Sequence, residues 1–120
     1  MNNNKPFSIE GRLKSFLYAF SGLKSFFKTE HNAWMHVAVS IGVVIMGSVF
    51  KVNNYEWCLL AFAIGLVIVS EIFNTAIELL MDIVSPDYND KAKIIKDIAA
   101  AGVLIASITA MIIGLIVFVL

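Results

Sequence analysis

The chain has 120 residues, 59% of them hydrophobic, with a mean hydropathy of +0.84, more apolar surface than a soluble domain of this size buries. Its nine basic and nine acidic side chains cancel, so no global charge points to nucleic acid or to an acidic partner. A lone cysteine, Cys58, excludes an intrachain disulfide and, in its apolar run, reads as a buried, inert thiol.

The opening MNNNKPFSIEGR has neither the hydrophobic run nor the small-residue site of a cleaved signal peptide. From 8 to 29, Ile9, Leu13, Phe16, Leu17, Phe20, Leu23 and Phe27 recur at steps of three and four. Glu10, Lys14, Ser21, Lys24, Ser25 and Lys28 fall largely on other faces. This pattern predicts an amphipathic helix in the membrane interface, with lysines toward anionic headgroups and phenylalanines in the acyl boundary. A helix that merely packs on the bundle is the plainer alternative.

Three spans follow, at 33–50, 57–84 and 98–120, of 18, 28 and 23 residues. The shortest just crosses a hydrocarbon core of about 30 Å. Turn formers mark the connections: Asn53-Asn54 within a loop over 51–56, and Ser85-Pro86-Asp87 opening a second loop over 85–96. Lys5, Arg12, Lys14, Lys24 and Lys28 precede the first span, and Lys91, Lys93 and Lys96 fall in the second loop, whereas the first loop holds only Lys51. The positive-inside rule therefore puts the N-terminus and the second loop in the cytoplasm, where a site can meet a water-borne nucleotide. The fold class is an all-α membrane protein, one domain over 1–120.

The middle span carries Glu71-Ile-Phe-Asn-Thr-Ala-Ile-Glu-Leu-Leu-Met-Asp82. At 100° per residue, Glu71, Asn74, Glu78 and Asp82 share an arc of roughly 80°, a polar stripe about 16 Å long running from mid-membrane to the cytoplasmic edge. Thr75 flanks it, and Phe73, Leu80 and Ile83 lie opposite. A single polar residue can simply join helices by hydrogen bonding. Three acids on one stripe, with no lysine or arginine in any span, call for a divalent cation, shared protons, or both.

Other charges carry less information by themselves. Glu30, just before the first span, can approach the level of Glu78 or be an ordinary helix-end charge. Glu30, His31 and His36 lack the close ligand pairs of zinc motifs. Lys93, Lys96 and Asp97 can be loop charges that obey the topology rule, or can grip phosphates at the mouth of the third span. The signatures of soluble kinases are absent from the sequence.

The pattern Glu71-x-x-Asn74-[Ser/Thr]-Ala-Ile-Glu78-x-x-x-Asp82, followed by Ala92-Lys93-x-x-Lys96-Asp97-x-Ala-Ala, resembles the signature of the prokaryotic diacylglycerol kinase family. The similarity extends over nearly the whole chain, through Tyr18-x-x-x-Gly22-Leu-Lys24 and Glu30 to the three spans. It implies a homotrimer with sites shared between subunits, and an ATP- and Mg2+-dependent transfer of phosphate to a lipid alcohol, either diacylglycerol or undecaprenol.

The resemblance also implies roles. Glu71 would be the general base, and Glu78 with Glu30 would hold magnesium on the ATP phosphates. Asn74 would orient the reacting groups, and Lys96 would neutralise phosphate charge. Asp97 and the Asp87-Tyr88-Asn89 segment would contact the nucleotide, with Arg12 and Tyr18 reaching it from the surface helix. Lys24 and Ala100, with Glu71, would lie at the lipid substrate, and Asp82 continues the stripe. Two departures stand out: Arg12 is one position nearer the tyrosine than in diacylglycerol-specific members, and Ala100 replaces a serine. Thr29-Glu30-x-Asn32-x-x-x-His36, Glu56-Trp57 and the Ala-Lys-x-x-Lys-Asp spacing are more similar to the undecaprenol-kinase branch, and favour a polyprenol acceptor. The competing reading is a small cation or proton pathway, which gives Lys96 and Asp97 no task.

Overall fold

A computed structural model describes residues 7–120; Lys5, counted above toward the topology, lies outside them. Four helices follow in order: α1 (Ile9–Thr29), α2 (Asn32–Val49), α3 (Asn54–Val84) and α4 (Asp90–Phe118), with no strand among the described residues. Of these, α2, α3 and α4 are long and apolar enough to cross a bilayer.

Each helix boundary has a local cause. Ser8 caps α1, its Oγ accepting from the Gly11 N–H at 3.0 Å, and Glu10 sits in the positive first turn. At the other end of α1 the chain bends sharply, because Glu30 is extended and donates its own N–H to the Phe26 carbonyl at 2.9 Å. α2 ends in a Schellman motif: Val52 N–H donates to the Gly47 carbonyl at 3.1 Å and Lys51 N–H to Ser48 at 3.3 Å. This closure needs a left-handed residue, and Lys51 supplies it at φ 53° where glycine is the usual choice. Asn53 and Glu56 then form a reciprocal capping box, at 2.9 and 3.1 Å, that starts α3. Pro86 stops α3, since the residue before a proline is pushed out of the helical region. Asn89 caps α4 by accepting from Lys91 and Ala92 N–H.

These caps correct the expected loops. The first connection is Phe50–Asn53 rather than 51–56, because the capping box starts α3 at Asn54. The second is Ser85–Asn89 rather than 85–96, so α4 begins eight residues before the expected span. Its charged first turns are a water-facing extension of a membrane helix. Buried Ala92 lets them lie against the bundle, and Lys96 reaches Asp82 on α3.

α3 and α4 form the most extensive pairing, α2 lies against α3, and α1 touches the bundle at its end through buried Phe26. At 1.5 Å per residue α2 is about 27 Å long, whereas α3 and α4 are about 46 and 43 Å. Gly47 is where α2 meets α3, with the Trp57 indole lying directly on it. Phe27 meets Trp34 at a tilt, with centroids 5.0 Å apart, at the α1–α2 corner, and Phe50 meets Phe118 edge-on at 5.6 Å at the opposite end.

The chain exposes 9257 Å², well above the roughly 6,400 Å² of a compact monomer of its mass. Its buried hydrophobic residues are mostly small: Ala33, Ala63, Ala92 and Ala106 beside Phe26, Leu60 and Met81. Cys58, expected to be buried, is exposed. It lies on the outer face of α3 near Tyr55 and Phe62, also exposed, where the apolar run meets lipid or another chain.

Candidate functional site

The stripe predicted on α3 is real, and its members differ in depth. Glu71, Asn74 and Thr75 are buried, at 8%, 9% and 5% exposure, in a chain that buries few large side chains. Glu78 is half-buried and Asp82 exposed. Phe73, Leu80 and Ile83 point outward on the opposite face. Burial of a carboxylate among apolar helices is costly unless it is hydrogen-bonded. A partner for Glu71 comes from α2, where His36 Nε2 lies 2.9 Å from Glu71 Oε1.

This pairing fixes the depth of the acid. His36 is in the second turn of α2, so Glu71 lies level with the beginning of α2 rather than with its middle. The second span was expected to start at 57; the cap at Asn53 adds nearly a turn to the far end of α3.

One turn on, Asn74 Nδ2 donates to Glu78 Oε1 at 3.3 Å, which leaves Asn74 Oδ1 buried without a donor. Thr75 Oγ1 is likewise buried and unpartnered. Orphaned buried acceptors are rare in native proteins and mark places where a ligand group or ion completes the set. At the exposed end, Lys96 Nζ reaches Asp82 Oδ1 at 2.7 Å and Lys93 reaches Asp97 at 2.7 Å. Asp82 therefore has a basic partner, which corrects the expectation of an acidic stripe without one; the helical start of α4 aims Lys96 at it. Both ion pairs are exposed, so either can exchange for a phosphate at small cost.

The other candidates are more scattered. Glu30 is half-buried, and its Oε1 accepts from the Asn32 N–H at 3.2 Å. No group of three or more His, Cys, Asp or Glu side chains that could hold a metal forms among the described residues. Magnesium needs no such cage, since it is bound by one or two carboxylates together with substrate phosphates and water. Glu78, Glu30 and the free Asn74 Oδ1 are oxygen donors of the kind it takes. Arg12 lies over the Phe7 ring at 5.0 Å from its centroid, and Tyr18 and Lys24 are exposed on α1. Asp87, Tyr88 and Asn89 form the exposed turn before α4, where the Asn89 side chain is occupied as a cap. Ala100 is exposed on α4.

An apolar cavity of about 410 Å³ lies between α2, α3 and α4, lined by Val39, Val43, Leu60, Ile64 and Met111 among others, with His36 and Ser40 on its wall. Its size suits a small-molecule or lipid pocket. His36 thus touches both the cavity and Glu71. No local pattern pairs His36 with Glu71, because the contact depends on the register between two helices.

Residues 17–118 match the family model described as prokaryotic diacylglycerol kinase. The chain is 37% identical over 103 residues to a diacylglycerol kinase of Synechocystis sp., covering 85% of this chain and 59% of that protein. It is 34% identical over 105 residues to an undecaprenol kinase of Bacillus subtilis, covering 88% of this chain and 85% of that protein. The chain therefore spans under two thirds of the Synechocystis relative's length and most of the Bacillus one.

Proposed function

The chain belongs to the prokaryotic diacylglycerol kinase family, phosphotransferases with a lipid alcohol as acceptor, and on that premise we propose that it transfers the γ-phosphate of ATP to the hydroxyl of a membrane lipid. Glu71 accepts the hydroxyl proton. The alcohol oxygen then bonds to the γ-phosphorus as the bond from that phosphorus to the β–γ bridging oxygen breaks, releasing ADP and leaving a lipid phosphate. Such a transfer needs alignment and charge neutralisation more than covalent help.

The observation that carries this reading is the gradation along α3. A buried, hydrogen-bonded carboxylate at Glu71 suits an acceptor arriving from lipid, and the exposed charges around Asp82 and Lys96 suit a nucleotide arriving from water. Asn74, whose Oδ1 has no partner, orients the reacting groups between them. Glu78 and Glu30 would hold Mg2+, which supplies charge neutralisation on the triphosphate when bound. Lys96 exchanges Asp82 for phosphate, and Asp97, Asp87, Tyr88, Asn89, Arg12 and Tyr18 lie toward the nucleotide, while Lys24 and Ala100 lie toward the lipid.

The protein works as a homotrimer in the bacterial cytoplasmic membrane, with its N-terminus and site mouth cytoplasmic and α1 in the interface. In support, Ile9, Leu13, Phe16, Leu17 and Phe20 are 60–74% exposed on α1, and the outer faces of α2–α4 carry apolar surface that needs lipid or other copies to cover it. The two relatives divide between the candidate acceptors. The Thr29–His36 pattern favours undecaprenol.

The test is purified protein in detergent micelles with labelled ATP and either lipid. Phosphate should enter at least one. Glu71→Gln should abolish turnover with ATP binding kept, and Glu78→Gln should raise the magnesium requirement as well as lower the rate. If neither lipid gains label while control enzymes phosphorylate both, the kinase reading fails; cation flux in liposomes without ATP would favour the pathway reading.

A further inference from the structure

We propose that His36 is a positioning residue for phosphoryl transfer, holding the Glu71 carboxylate through Nε2 so that its second oxygen faces the acceptor hydroxyl. This inference rests on the kinase reading above, in which Glu71 is the base.

The role of Glu71 as the base assigns the donor. An ionised carboxylate can only accept, so a 2.9 Å contact between Nε2 and Oε1 requires the proton on Nε2. Among the described residues no other hydrogen bond reaches the Glu71 side chain, so Oε2 remains free to take a proton. One oxygen held and the other open is the relation between a catalytic base and the group that orients it.

The pair is also well insulated. The side chains are 20% and 11% exposed, and the imidazole lies on the wall of the apolar cavity beside Val39 and Val43. A hydrogen bond in such surroundings is stronger than in water and limits the rotation of the carboxylate. Its two ends also lie on different helices, so the position of the base relative to α2 is set by this contact and by the Gly47–Trp57 contact at the other end.

The plainer role for a half-buried histidine is to join two membrane helices. The two roles differ in what a substitute must supply. Glutamine carries an N–H donor at a reach comparable to Nε2, whereas leucine fills similar space and donates nothing. The experiment compares kcat and KM, for ATP and for the accepted lipid, in the wild type, His36→Leu and His36→Gln, with ATP binding as the check on folding.

Misplacing a reacting group by about 1 Å can cost a hundredfold in rate. His36→Leu should therefore lower kcat by about ten- to a hundred-fold with both KM values within about threefold. His36→Gln should recover most of that loss, because it restores an N–H donor to Glu71. Either of two results overturns the proposal: His36→Leu retains more than half of kcat, or leucine and glutamine lose alike. Those results come from an active wild-type protein and leave the kinase reading intact. A wild type inert toward both lipids removes the kinase reading and this inference together.

Discussion

Gly47 offers a direct test of how α2 is held to α3. A Cβ built on Gly47 would lie 2.6 Å from Trp57 Cη2, 2.9 Å from Cζ3 and 3.1 Å from Cζ2. Carbon atoms prefer about 3.5–4.0 Å, so in Gly47→Ala the half-buried indole must retreat by about 1 Å or the helices must part by as much. Overpacking of this kind costs typically 1–3 kcal/mol. The lower end applies if the ring swings outward, and the upper end if loop 50–53 and the Phe50–Phe118 contact hold it in place. The assay is reversible denaturation in mixed micelles, with Trp57 emission as the local probe in a Trp34→Phe background. The expected result is a loss of about 1–3 kcal/mol with a shift in Trp57 emission. Trp57→Phe removes the clashing atoms, so Gly47→Ala/Trp57→Phe, followed by circular dichroism, should lose less than the two single changes together. If Gly47→Ala is as stable as the wild type with Trp57 emission unmoved, the indole does not lie on Gly47 and the register between α2 and α3 is wrong.

Other substitutions separate local structure from chemistry. Lys51→Gly should stabilise the protein by about 0.5–1 kcal/mol, because glycine adopts the left-handed cap without steric cost, and Lys51→Val should destabilise it; denaturation in mixed micelles reads both. Asn89→Ala should cost about 1 kcal/mol through loss of the α4 cap, while Asn89→Asp should keep that stability; if the aspartate variant binds ATP as the wild type does, the amide has no role at the nucleotide. Asp82→Asn should cost less than about 1 kcal/mol, since both partners of its ion pair are exposed. Lys96→Met should weaken ATP binding far more than it affects folding, and equal effects on both, measured by nucleotide titration and denaturation, would reduce Lys96 to a structural residue.

The number and order of the helices were legible because each apolar run is long enough to cross a bilayer without any tertiary information. Their ends were less so. Asn53-Asn-Tyr-Glu56 has the spacing of a capping box, and Asn89 precedes residues that form helices readily, yet the charges on Lys91, Lys93 and Lys96 read as loop. Charge excludes hydrocarbon, not helix, and a membrane helix that continues into water keeps its backbone bonds while changing its surface. Cys58 failed for a related reason: beside lipid, an apolar neighbourhood does not mean an interior one. The stripe from Glu71 to Asp82 was visible because it belongs to one helix and needs only the 100° step. The links from Glu71 to His36 and from Asp82 to Lys96 join different helices, so they follow from loop lengths and from the seat of Trp57 on Gly47, which no local pattern encodes.

The unequal helix lengths tie the protein to the thickness of its host membrane. Only α2 matches the hydrocarbon, at about 27 Å against a core of about 30 Å, while α3 and α4 exceed it and bear Glu78, Asp82 and Lys96 toward the end where the two helices join. In long-chain lipids the headgroup plane rises along these two rods, and the ledge where charged residues meet water narrows; in short-chain lipids it widens. Hydrophobic mismatch, at fractions of a kcal/mol per ångström, thereby sets how far the charged shelf stands above the acyl chains.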